Sequence, residues 1–163
     1  MKCYHCNTDM NCTRETYHYP ESGLDNVFLE GVDICRCDHC GEEAVKIPAV
    51  VELNDLIGKA IIRKRALLNR LEIKFLRKNI GFAGKALADA MHLDNATISR
   101  WESGKQKISE PHDILLRLIY CGIKGIPAKE HIEKHFKHSF FDDEVESFVI
   151  PNDEMERFRK LSV

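Results

Sequence analysis

Four cysteines near the start of the chain have the residue type and the spacing of metal ligands. They form two Cys-x-x-Cys pairs, Cys3 with Cys6 and Cys37 with Cys40. Each pair bends the backbone into a knuckle that offers two sulfurs from one side, so two knuckles can complete a tetrahedral thiolate site. Gly41, after the last of these cysteines, supplies the permissive backbone that such a turn needs. We therefore expect a structural metal site, and Zn²⁺ is the favoured ion.

Iron is the competing ion at such a site. Rubredoxins also hold iron on two knuckles of this kind, with a glycine after each, whereas Asn7 follows the first knuckle here. The alternative interpretation is therefore a rubredoxin-like, iron-binding electron-transfer module fused to a helical docking domain. His5 and His39 lie inside the knuckles, at positions that more often point to solvent than to the metal.

The other cysteines are not expected to form a disulfide framework. The total of seven is odd, and the N-terminus lacks the apolar core of an export signal. We expect Cys12 and Cys35 to be buried or strand thiols, as is usual where thiols are kept reduced. No apolar run approaches the length that crosses a membrane, so we expect a cytoplasmic protein without a membrane partner.

The second stretch that indicates a function is residues 71–120. Apolar residues recur there at helical spacing in four runs, which predicts a bundle of four short helices. The middle two runs cover 82–91 and 94–103, and a tight turn joins them. Asp94 is a suitable N-cap for the second helix of this pair, and Gly104 is a suitable terminator. The predicted inward-facing residues of the pair are Leu87, Ala88, Ile98 and Trp101.

This stretch resembles the Cro/lambda-repressor (XRE) helix-turn-helix family. The matching residues fall in the family's register without a gap: Leu76-Arg77, Leu87-Ala88, Ile98-Ser99-Arg100, Glu102 and Gly104. The resemblance implies that the second helix of the pair lies in the major groove of DNA and that its first residues read base edges.

The outward residues of that helix are the candidate base contacts. Arg100 is suited to a bidentate contact with guanine, and Asn95 to an adenine edge. Thr97 could meet a phosphate or a thymine methyl group, while Ala96 could make only an apolar contact.

Further candidate DNA contacts flank the recognition helix. Gly84 occupies a position where the family often has a contacting Gln, so contacts there would come from backbone N–H groups, with Lys85 beside them. Lys105 and Lys107 are candidate phosphate contacts. Residues 59–107 hold twelve basic and four acidic side chains, a net charge of +8 in a chain whose total is −2. A basic island of this kind is typical of a surface that binds phosphates.

The pattern along the chain predicts a mainly α fold with a small β-containing zinc domain. Residues 1–48 would form the zinc-binding domain, with a hairpin between the knuckles. Residues 49–70 would form a linker helix, and Asn69 with Glu72 would cap the next one. The helix-turn-helix domain would span 71–138.

The C-terminal half of that domain and the tail are less informative. We expect a helix that closes the bundle through Ile114, Leu115, Leu118 and Ile119, and one more helix from Pro127. The acidic tail, 139–163, suggests a short strand and a helix, but the sequence assigns it no role.

The whole arrangement resembles the MqsA-type antitoxins and the YgiT-type zinc-finger/helix-turn-helix regulators over about residues 1–122. The resemblance implies a homodimer that represses its own operon and a zinc domain that binds a toxin protein. The tail after Gly122 has no counterpart in the antitoxins. Because no nucleophile and base stand at a recognisable spacing, we expect a DNA-binding transcriptional regulator rather than an enzyme.

Overall fold

The computed structural model describes residues 1–129 and 147–161, and the statements below concern these residues. They contain six α-helices and a four-stranded sheet. The chain forms two compact units, whose described parts are residues 1–53 with 147–161, and residues 54–129. The prediction of a mainly α fold with a small β-containing region around the cysteines is confirmed.

The first unit is built on the predicted hairpin. Strands β1 (Asn11–His18) and β2 (Val27–Arg36) pair antiparallel, and β3 (Glu43–Lys46) pairs antiparallel with the end of β2. The connection between β1 and β2 contains a 3₁₀ turn, Pro20–Ser22, and then Gly23 in the left-handed region at φ 79°. This hairpin fills the interval between the two knuckles.

The C-terminal tail belongs to the same sheet. Strand β4 (Phe148–Ile150) pairs in parallel with residues 27–29 of β2, on the edge that β1 leaves free. Helix α6 (Asn152–Leu161) follows, with Met155 and Phe158 buried. The predicted strand and helix are therefore present, and the structure gives the tail a place that the sequence did not assign.

Polar contacts fix the tail to the hairpin. Arg159 donates a hydrogen bond to the carbonyl oxygen of Gly31, and Arg14 forms an ion pair with Glu156 at 2.7 Å. Gly31 has a φ of 66°, and a Cβ at this position would collide with the side chain of Asn152. Only glycine combines this backbone conformation with so close a neighbour.

The second unit contains most of α1 (Val50–Arg63), followed by α2 (Arg70–Asn79). The predicted linker helix thus ends at Arg63, and residues 64–69 are not helical. A new helix starts because the side chain of Asn69 accepts the backbone N–H of Glu72 at 3.0 Å, and the Glu72 carboxylate accepts the backbone N–H of Asn69 at 2.7 Å. The predicted capping box is confirmed.

Three further helices complete the bundle: α3 (Gly84–Ala90), α4 (Asn95–Glu102) and α5 (Glu110–Lys124). The predicted core face of α5 is wrong. The four residues expected to close the bundle are only half-buried: Ile114, Leu115, Leu118 and Ile119. The buried residues of α5 are Asp113, Leu116, Arg117, Tyr120 and Cys121.

A buried ion pair explains why α5 turns a different face to the core than the sequence predicts. Arg117 and Asp113 are both fully buried, and Arg117 Nε donates to Asp113 at 2.7 Å. Arg117 also donates to the carbonyl oxygens of Lys64 and Ala66 at 2.8 and 2.7 Å, while Asp113 accepts the backbone N–H of Leu68 at 2.7 Å. The pair satisfies the backbone of the segment between α1 and α2, which would otherwise leave polar groups buried without partners.

The helix predicted from Pro127 is described only at its start. Residues 128 and 129 are helical, and the rest of that prediction lies outside the described residues.

Candidate metal centre and nucleic-acid interface

The two predicted knuckles bring their four cysteines together. Their Sγ atoms all lie within 4.8 Å of one another. The Sγ of Cys3 lies 3.5 Å from that of Cys40, and the Sγ of Cys6 lies 3.4 Å from that of Cys37. A tetrahedral ion with Zn–S bonds of about 2.3 Å separates its sulfurs by about 3.8 Å, so the cluster has the size that one metal ion needs.

The knuckles share the same backbone turn. Asn7 N–H donates to Cys3 O at 3.0 Å, and Gly41 N–H donates to Cys37 O at 2.9 Å. Both donors lie in the left-handed region, with φ of 59° at Asn7 and 76° at Gly41. Asparagine is the non-glycine residue that tolerates this region best, so Asn7 takes the part that glycine takes in the second knuckle.

The four thiols of the cluster contact one another and nearby backbone groups, which shift the pKa values of Cys6 and Cys40 in opposite directions. His5 donates its backbone N–H to Cys3 Sγ at 3.4 Å. Hydrogen bonding by the side chain and the backbone of Thr8 lowers the pKa of Cys6 to about 5. A backbone hydrogen bond at Glu42 opposes the shift at Cys40, but burial and hydrogen bonds with the other three cysteines raise the pKa of Cys40 to about 12. The side chains of His5 and His39 are exposed and are not members of the cluster. Four thiolates therefore form the donor set, which suits zinc or iron.

The expectation that Cys12 and Cys35 are thiols is wrong. The two cysteines form a disulfide. They face each other in the register of β1 and β2, and directly opposed residues in an antiparallel ladder are close enough for this bond. Their separation of 23 residues along the chain does not by itself predict a disulfide, because the two cysteines meet only through the pairing register of β1 and β2.

The helix-turn-helix has the predicted geometry. Leu87 and Ala88 of α3 and Ile98 and Trp101 of α4 are all buried. The turn between the helices places His92 in the left-handed region at φ 53°.

Both ends of α4 are as expected. The carboxylate of Asp94 accepts the backbone N–H of Ala96, although at a long 3.4 Å. Gly104 follows the helix with a φ of 76°. The helix therefore begins and ends where the sequence placed it.

A bidentate ion pair joins α4 to α2. Arg77 Nε and Nη2 donate to the Glu102 carboxylate at 2.5 and 2.9 Å, and Arg77 Nη1 donates to Phe82 O at 2.7 Å. The hydrogen bond with Glu102 raises the pKa of Arg77. Because Glu102 is engaged by Arg77, it is not the partner of Arg100, whose side chain is exposed and forms no ion pair with the described residues.

Most predicted DNA contacts lie on the exposed surface. Thr97 and Gly84 are partly buried, whereas the exposed members of the set are Asn95, Ala96, Arg100, Lys85, Lys105 and Lys107. A shallow cleft of about 330 Å³ lies between α2, α3 and α4, and it includes Gly84, Asn95, Lys74 and Ser99. Neither Lys74 nor Ser99 is among the DNA contacts predicted from the sequence. Ser99 could have been found, because it lies one helical turn after Asn95.

Two of the twelve bases between 59 and 107 have internal partners. Lys64 forms an ion pair with buried Glu72 at 2.6 Å, and Arg77 pairs with Glu102. The other ten are exposed: Lys59, Arg63, Arg65, Arg70, Lys74, Lys78, Lys85, Arg100, Lys105 and Lys107. These ten side chains remain available to phosphates.

Comparison with known families bears on this half of the chain. Residues 73–112 match the helix-turn-helix family model. The matched segment runs from α2 into α5 and contains the whole α3-turn-α4 pair. The match supports DNA binding by an XRE-type helix-turn-helix. No curated protein and no solved structure matches the chain. No helix among the described residues has both the length and the apolar character to span a bilayer.

Proposed function

We propose that the chain is a sequence-specific transcriptional repressor that reads its operator with α4. The observation that carries the proposal is the coincidence of the matched helix-turn-helix segment with an α4 whose polar face is exposed. A major groove admits a single helix, and the first turns of that helix reach the base edges.

Arg100 is proposed as the principal reader of bases. Its guanidinium has the fork that spans the N7 and O6 acceptors of guanine, and no described acidic side chain holds it. Asn95 would take an adenine edge, and Ala96 and Thr97 would contact neighbouring apolar or phosphate groups.

Phosphates would be bound around this helix. Lys105 and Lys107 lie on the loop after α4, and Lys85 lies in the first turn of α3. The backbone of Gly84 would meet the phosphate chain directly. These contacts position the protein without selecting a sequence.

We further propose that the four-cysteine cluster holds structural Zn²⁺. A closed set of four thiolates on small knuckles is the donor arrangement of structural zinc sites. Bound zinc would supply folding free energy and no catalytic chemistry. Metal analysis of purified protein tests this proposal, and a red colour from ferric tetrathiolate would favour the iron alternative instead.

A homodimer would use the half-buried face of α5. Leu115, Leu118 and Ile119 lie at helical spacing there, and Ile123 is 46% exposed. A second copy would cover this stripe and would place two recognition helices on two half-sites.

The resemblance to MqsA-type antitoxins supports a finer proposal. In that case the first unit would also bind a toxin protein, and the chain would repress the operon that encodes both. Co-expression with the product of an adjacent gene tests this proposal. If the two proteins do not copurify, the chain is a regulator without a toxin.

DNA binding is tested by fluorescence anisotropy on the DNA upstream of the chain's own gene and on a shuffled duplex. We expect specific affinity about 10³-fold or more above that for the shuffled duplex, and a steep loss of both affinities with salt. Lys105→Ala should weaken both and lower the salt slope by about 0.9, the effect of one lost phosphate contact. Arg157→Ala in α6 is the matched control and should change neither. Equal affinity for the two duplexes would contradict the proposal.

A further inference from the structure

The Cys12–Cys35 disulfide lies beside the metal centre. Cys35 is two residues before the ligand Cys37, at the end of β2. Cys12 is at the start of β1, six residues after the ligand Cys6. The bond therefore joins the two strand ends that run into the two knuckles.

The two sulfurs of this bond have different surroundings. Cys35 is 2% exposed and packs in one cluster with Cys3, Cys37 and Met10. Cys12, by contrast, is an exposed residue of β1. A small thiol can therefore approach the bond from the side of Cys12, while Cys35 packs against Cys3 and Cys37, two of the proposed metal ligands.

The two groups of cysteines need opposite redox conditions. A tetrathiolate site requires reduced cysteines, and a metal ion protects them because their sulfurs are already bound. Cys12 and Cys35 have no place in the cluster, so they are the unprotected pair of this unit. Where thiols are kept reduced, a disulfide that does form is usually transient and either catalytic or redox-sensing.

We propose that Cys12 and Cys35 form a reversible redox-modification site that sets how firmly the metal is held. This inference rests on the proposed metal centre. In the reducing direction, the thiolate of one low-molecular-weight thiol attacks Cys12 Sγ, and Cys35 leaves as a thiolate that takes up a proton. A second thiol then releases Cys12, so two thiols become one small disulfide. A small disulfide such as oxidised glutathione drives the reverse reaction.

The metal responds because the bond restrains both knuckles. With the disulfide closed, the ends of β1 and β2 stay together and the four ligands remain in one place. With the bond open, these strand ends keep their ladder hydrogen bonds and side-chain contacts such as Asn11 with Asp38 and Arg36 with Glu15, but they lose their covalent link, so opening of the site becomes easier. Groups that orient metal ligands change metal affinity by about 10-fold to 100-fold, so we expect metal release about tenfold faster from the reduced protein.

The test uses the full metal-loaded chain in buffers of different ratios of reduced to oxidised glutathione. Alkylation and peptide mass mapping then show which cysteines are free. Metal transfer to a chelating dye is timed on the same samples. We expect Cys12 and Cys35 to become alkylated together as the ratio rises, with the four ligands still protected, and release to be faster where the pair is open.

Variants separate the bond from the metal centre. Cys12→Ser should release metal at the reduced rate in every buffer, whereas Thr13→Ala, an exposed neighbour on β1, should follow the parent protein. Equal release rates for the open and closed forms of the parent would overturn the inference, as would a Cys12–Cys35 bond that never forms with oxidised glutathione. Absence of metal from both forms would instead overturn the proposed metal centre.

Discussion

Among the single residues, Glu102 is the one that joins α4 to α2. Its carboxylate is held by Arg77 from α2, and both side chains are largely buried, with exposures of 16% and 13%. The ion pair between Glu102 and Arg77 therefore lies inside the helix bundle, whereas the side chain of Arg100 is exposed. A sequence pattern shows only that the two charges occur in the family's register, whereas the structure shows that they bind each other.

We predict that Glu102→Gln lowers the free energy of unfolding of the second unit by about 1–3 kcal/mol, because Arg77 loses its charged partner in a largely buried position. Urea unfolding followed by Trp101 fluorescence measures this change. Asp89→Asn removes the same charge at an exposed position of α3 and should cost less than about 0.5 kcal/mol. Equal effects of the two substitutions would show that the ion pair has no stabilising role.

Among the secondary-structure elements, the packing of the C-terminal tail against the sheet depends on a glycine in β2. Gly31 combines a φ of 66° with the close approach of Asn152 at the start of α6. Gly23 has a φ of 79°, but a Cβ added there would have no neighbour within 4 Å, so it serves as a control for backbone strain alone.

We predict that Gly31→Ala destabilises the first unit more than Gly23→Ala does, because the new methyl group displaces Asn152 and loosens α6. Left-handed strain alone costs about 1–2 kcal/mol at either site. Thermal unfolding in the parent and in an Asn152→Ala background measures the difference. Asn152→Ala should relieve part of the cost at Gly31 and none at Gly23, and equal costs in both backgrounds would show that Asn152 does not crowd the strand.

Most of the candidate site could be predicted from local sequence patterns. The Cys-x-x-Cys spacing and the helical period of α4 are set by neighbours in the sequence, so the cluster and the outward face could be predicted. The Cys12–Cys35 bond could not, because the strand register is set by the whole hairpin, including an irregularity between Glu15 and Tyr17.

The orientation of α5 was missed for another reason. The prediction followed the apolar residues Ile114, Leu115, Leu118 and Ile119, and charged side chains such as those of Arg117 and Asp113 are rarely fully buried. Here the pair is buried because it satisfies the backbone that joins α1 to α2. The position of the C-terminal tail in the sheet could not be predicted either, because a parallel strand of three residues is too short to have a recognisable sequence pattern.

At the scale of the whole molecule, the two units should respond differently to loss of metal. In the first unit the buried residues around the sulfurs are few, namely Cys3, Met10, Cys35 and Cys37, so metal ligation would add folding free energy there, whereas the rest of this unit has a core that includes Leu29, Val32 and Phe158. The second unit has a core of its own that includes Trp101, Leu116 and Tyr120.

We therefore predict that a strong chelator loosens the two knuckles and the adjoining ends of β1 and β2, and leaves the helices of the second unit folded. Hydrogen exchange of the full chain, read by mass spectrometry, measures protection in each unit with and without the chelator. A chelator added to metal-free protein is the control. Unchanged protection of β1 and β2 after the metal is removed would contradict the prediction.

We propose that α4 reads the DNA sequence and that Arg100 selects a base. Selection from randomised duplex DNA, run in parallel with the parent protein, Arg100→Ala and the control Arg157→Ala, tests it most directly. We expect the parent and the control to select the same sequence in two half-sites. We expect Arg100→Ala to lose preference at one base pair of each half-site, a change of about 1–3 kcal/mol there. An Arg100→Ala protein that keeps every base preference and merely binds less tightly would contradict the claim.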